Sequence, residues 1–142
     1  MLIAIASALL AASSPTPRPD VAVDVGRFDP SEFPAAQLRE RRMPHDTMLR
    51  RVESILRERQ CTLDGQNDRR FDISVPYVVQ LEPDGTPTRF VVADIGCPQL
   101  ESFVGQVVLE LARARDYRPT GAADAEWYSS ELRFTVGALP IR

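Results

Sequence analysis

The residues that could do chemistry are few and scattered. The chain has two cysteines, Cys61 and Cys97, and a single histidine, His45. A metal site would have to combine His45 with both cysteines and a carboxylate, and no local ligand spacing of the zinc-site kind unites them. A serine nucleophile would need His45 as its base, and the G-x-S-x-G elbow is absent. Asp116, or Asp124 with Glu126, are paired acids in a stretch that reads as loop, where solvated charge is the ordinary role. Glycine-rich phosphate loops and dinucleotide fingerprints are missing. The pattern supports no catalysis, cofactor or metal, and His45 reads as a surface residue ahead of a helix.

The cysteines have a simpler use. In an exported chain an even, minimal count favours a disulfide, here joining the end of one helix to the loop that starts the next. Closing a loop of that size stabilises by about 3–4 kcal/mol through the unfolded state. Two buried free thiols, or a reactive or metal-binding pair, are the alternatives. Adjacent aromatics Trp127 and Tyr128 sit on a stretch of strand periodicity and must face opposite sides. Tyr128 is expected in the core and Trp127 is a candidate contact residue, or else covers the sheet rim or packs under the Pro-rich N-terminal segment.

Export is read from the first residues. An apolar or small run from Leu2 to Ala12 has the length of a signal-peptide core and falls short of the roughly 20 residues that span a bilayer as a helix. Small residues Ala11 and Ser13 suit a cut near Ser13, and no cysteine follows for a lipid anchor. A buried apolar strand or helix is the competing reading, opposed by Ser-Ser-Pro-Thr-Pro-Arg-Pro. Residues 1–14 are thus expected to be a signal peptide, 15–34 a Pro-rich linker or loosely attached edge segment, and 35–142 a single domain. At 142 residues, 44% hydrophobic and 26% charged, the chain has material for one core. Its net charge of −3 lacks the basic footprint of a nucleic-acid binder. All basic residues are arginine, which reads as coding bias.

Several elements follow from periodicity. Met48, Val52, Ile55 and Leu56 share one face of a helix from about Thr47 to Gln60, with Asp46 as its expected N-cap. Turn chemistry in Asp64-Gly65 and Asn67-Asp68 precedes a strand in which Ile73, Val75, Tyr77, Val79 and Leu81 alternate; Pro76 implies that the start of this strand lies at an edge. Glu82-Pro83-Asp84-Gly85 supplies a hairpin turn into "TRFVVADI". After Gly96-Cys97-Pro98 the period changes to 3.6, and Leu100, Phe103, Val104, Val107, Val108, Leu111 and Ala112 form one stripe, with Glu101, Glu110, Arg113 and Arg115 outside it. "EWYSSELRFTV" closes the chain as a strand. The expected fold class is α+β: a small antiparallel sheet with a helix packed across it in β-β-α-β order, preceded by one further helix.

This order resembles the C-terminal domain of TonB-family energy transducers. The resemblance runs from about residue 73 to 136 and rests on "YVVQLEPDGTPTRFVVADI", on "CPQLESFVGQVVLELARARDYRP" with its Tyr117-Arg118-Pro119 junction, and on "EWYSSELRFTV". It implies a periplasmic, non-enzymatic binding or adaptor module that adds an extended segment of a partner to a sheet edge. The last strand is then the expected edge, with Trp127, Ser129, Glu131 and Arg133 as partner-binding residues. Family transducers carry a membrane-spanning helix and a long Pro-rich spacer, whereas this chain has a short signal and "PTPRP", so energy coupling is not expected of it alone. No stable membrane insertion is expected after signal removal. A self-associating structural domain of the cell envelope is the alternative, since exposed strands readily pair.

Overall fold

The computed structural model describes residues 21–40, 45–58 and 71–136. The signal run, its cleavage point, the turn residues Asp64 to Asp68 and Cys61 lie outside these residues. The strands are β1 (Ala22–Gly26), β2 (Phe71–Leu81), β3 (Pro87–Ala93) and β4 (Glu126–Val136), and the helices are α1 (Asp46–Arg57) and α2 (Pro98–Arg113). Together they form an α+β fold with a four-stranded sheet in the order β1-β3-β2-β4.

The hairpin forms where local chemistry demands it. Gly85 N–H donates to the Glu82 carbonyl at 2.8 Å, Glu82 N–H donates to Thr86 at 2.9 Å, and Gly85 takes φ +88°. Antiparallel pairs then run from Tyr77↔Val92 to Leu81↔Pro87. β4 pairs antiparallel with the whole of β2, from Phe71↔Val136 to Leu81↔Glu126. Among the described residues, 71–76 thus have a strand partner on one side only, and Pro76 sits just beyond the last pair with β3, as its missing N–H requires.

The sheet is nevertheless mixed, which corrects the antiparallel expectation. Residues 22–26, read as linker or loose edge segment, form β1 and pair parallel with β3 from Ala22↔Arg89 to Gly26↔Ala93. A parallel neighbour needs a long crossover, and the chain supplies one by leaving β1, crossing to the far edge and passing through α1 before β2 begins.

One face of the sheet carries the core. Val75, Tyr77, Val79, Phe90 and Val92 pack with Val52 and Ile55 of α1 and with Leu100, Val104 and Val108 of α2. The α2 stripe is therefore the buried face that periodicity implies. Two details differ from expectation. His45, not Asp46, is the cap of α1: its extended backbone lets Nδ1 accept from Met48 N–H at 3.4 Å, while Asp46 occupies the first turn and favours the helix dipole from there. Glu101, expected outside the stripe, is buried, because its Oε2 folds back to accept from the N–H groups of Ile95 (3.1 Å) and Cys97 (3.0 Å) and so caps the helix that Cys97 opens.

The Tyr117-Arg118-Pro119 junction is pinned from several sides. Tyr117 and Tyr77 share a buried hydroxyl–hydroxyl hydrogen bond of 2.9 Å, and the Phe90 ring lies 6.0 Å from that of Tyr77 and 6.2 Å from that of Tyr117. Burial pushes both hydroxyls above the ordinary tyrosine range, with the neighbouring Tyr77 adding to the shift at Tyr117. A folded-state pKa raised above the unfolded value of about 10 leaves stability untouched below that pH and removes it above. Thermal stability should therefore fall as pH rises beyond about 10, by up to about 1.4 kcal/mol per pH unit for each tyrosine. The chain has no lysine to titrate alongside. A Tyr77→Phe/Tyr117→Phe double variant, melted across the same pH series, should lose that decline; a decline that persists would assign it elsewhere.

Candidate protein-binding edge

β4 is a terminal strand of the sheet, so one side of its backbone faces away from β2. Ser129 shows which residues point that way: its N–H donates to the Pro34 carbonyl and its carbonyl accepts from Ala36 N–H, both at 2.8 Å. Strand alternation then turns the backbone groups of Trp127, Glu131, Arg133 and Thr135 to the same side, while those of the even-numbered residues meet β2. The four residues singled out by the resemblance thus share an edge and a face, with Tyr128, Leu132 and Phe134 on the opposite, core side.

They are not equally available. The chain after β1 crosses the sheet face away from the helices, where the short 3-10 turn Pro30–Glu32 lies against β2 and β4. It then runs beside β4, with Ala35 bridged in parallel to Ser129. Ser129 is half-buried, and its hydroxyl donates to the Phe33 carbonyl at 3.3 Å. This corrects the expectation of a free edge at Ser129: both of its outward backbone groups are already paired. Trp127 is half-buried on the same face, opposite Gln80 of β2. Beyond Ser129, no described segment pairs with the outward side of Glu131, Arg133 and Thr135.

Side chains along this open stretch are polar and organised. Glu131 accepts from Ser74 Oγ at 2.6 Å and from Arg133 Nε at 2.6 Å, and Thr135 Oγ1 donates to Asp72 at 2.8 Å. The Ser74 hydroxyl, followed by Arg133, holds the Glu131 carboxyl below its usual range. Charged side chains on an exposed edge discourage indiscriminate strand pairing.

The other candidate residues give no reactive constellation. His45 is exposed and occupied in capping α1. Asp124 and Glu126 are exposed, but Asp116 is buried beside Tyr117, a correction to its reading as a solvated loop acid; its carbonyl accepts from Arg39 N–H at 2.6 Å. Sequence reasoning missed this carbonyl and Gln37, whose partners lie far along the chain. Cys97 is fully buried at the start of α2, and there is no free cysteine among the described residues. Among those residues no group of acids, histidine and cysteine could hold a metal ion, and no helix is long and apolar enough to cross a membrane. Comparisons with protein-family models, with curated proteins and with solved structures find no match for this chain.

Proposed function

We propose that this chain is an exported, periplasmic, non-enzymatic binding or adaptor module, akin to a TonB C-terminal domain, that recognises another protein by adding an extended segment of it along β4. The observation that carries the reading is the edge position of β4, with the outward backbone of Glu131, Arg133 and Thr135 unpaired by any described segment. Main-chain hydrogen bonds would supply affinity there, and the Glu131, Arg133 and Asp72 side chains would select the partner. With export goes a disulfide between Cys61 and Cys97, for which the buried place of Cys97 at the head of α2 is suitable. Titration of the denatured, unreduced protein should find no thiol; two thiols would reject the bond.

The test of the binding reading is photocrosslinking in periplasmic extract, with the reactive residue at Arg133 and a control at Glu110 on exposed helix surface. A partner captured from Arg133 and not from Glu110 is the expected result. Capture of a second copy of this chain would favour the self-associating envelope domain, and equal or absent capture at both positions would reject edge recognition.

A further inference from the structure

We propose that residues 33–36 are a displaceable occupant of the β4 edge, holding in cis the place of an extended partner that runs parallel to β4. The inference rests on the strand-addition reading and deepens it by naming the geometry and chemistry of the partner.

The cis segment already does what a partner would do. Pro34 and Ala36 bracket Ser129 with two main-chain hydrogen bonds in a parallel arrangement, and the Phe33 carbonyl takes the Ser129 hydroxyl. Phe33 also packs edge-on against Phe28, with ring centroids 6.4 Å apart. Val78, cross-strand neighbour of Ser129, is 3% exposed and outside the core cluster on the helix side of the sheet. The segment covers the edge at Ser129, and there Ala36 is partly buried against the core cluster.

Where it covers the edge, Pro34 and Ala35 are exposed and Phe33 and Ala36 are half-buried, with Ala36 against the core, and the chain is held on both sides of this stretch. No residue from 27 to 40 is fully buried. Upstream the chain is held by β1. Downstream, Gln37 accepts from Arg118 N–H at 2.9 Å, Arg39 N–H donates to Asp116, and Leu38 bridges Tyr117. Few buried contacts mark a segment that opens below the cost of global unfolding, and tethering at both ends returns it to its place. Opening frees Ser129 and lengthens the available edge from Glu131–Thr135 to Trp127–Thr135. The matching partner is an extended segment with small side chains at the positions of Pro34, Ala35 and Ala36 and an aromatic ring in place of Phe33.

Hydrogen exchange on the whole chain tests the opening. The Ser129 amide, which faces the segment, should exchange about tenfold or more faster than that of Ser130, which faces β2; equal protection would show one cooperative unit and overturn the proposal. Ala36→Pro deletes the N–H that Ser129 accepts and leaves β4 intact. A synthetic peptide of residues 31–39 should bind this variant about tenfold or more tighter than the native chain, whose own segment competes. Equal binding to both, or binding to neither, would overturn it. Neither measurement uses an outside partner, so failure of strand addition itself would show separately, as absent capture at Arg133. If the variant does not fold, the exchange comparison on the native chain decides alone.

Discussion

Phe90→Ala should cost about 3–5 kcal/mol of folding stability, a large part of the 5–15 kcal/mol typical of a domain. Phe90 is fully buried, and its ring sits between those of Tyr77 and Tyr117. Truncation leaves a cavity at the point where β2, β3 and the segment after α2 meet, and both hydroxyl-bearing rings lose their packing neighbour. Because Arg118 holds Gln37, the damage should extend to the chain that covers Ser129. Denaturant titration of native and variant protein measures the loss, and Phe90→Leu should lose less because it refills part of the cavity. A cost below about 1 kcal/mol for Phe90→Ala would contradict the packing, since large truncations at a rigid, filled site do not come so cheaply.

Gly85→Ala should be the most damaging small substitution in the hairpin. A Cβ there would lie 2.8 Å from the carbonyl oxygens of both Tyr117 and Arg118, backbone atoms that cannot swing aside, and the residue holds φ +88°. The conformation alone costs a non-glycine residue about 1–3 kcal/mol, and the two contacts add to it. Gly121→Ala separates the terms: Gly121 has φ +72° and nothing within 4 Å of its missing Cβ, so it should show the conformational cost without the clash. Denaturation midpoints of the two variants give the comparison. Equal losses would mean that the turn does not press on the Tyr117–Arg118 backbone.

These two sites show what was legible in the sequence. Pro83, Asp84 and Gly85 announce a turn because their backbone preferences act within a few residues, and the α2 stripe announces a helix because one period repeats over four turns. The contact that makes Gly85 sensitive joins it to residues more than thirty positions away, and no local pattern reports it. The same division holds at the edge. Alternation in "EWYSSELRFTV" marks a strand, and fold position under the resemblance marks it as terminal, which the sheet order bears out. That Ser129 is already paired depends on where residues 34–36 arrive after crossing the sheet, and their Pro and Ala side chains carry no periodic signal.

By itself, then, the sequence determined the α+β class, the hairpin, both helices and the buried faces, because burial of a repeating apolar face and the dihedral needs of Pro and Gly are local properties. Only the tertiary structure decided the parallel direction of β1, the inward turn of Glu101, the burial of Asp116 and the division of β4 into a covered and an open half. Each of these satisfies backbone hydrogen-bonding groups of one segment with groups from another, and such pairings are settled by where the folded chain brings the segments together.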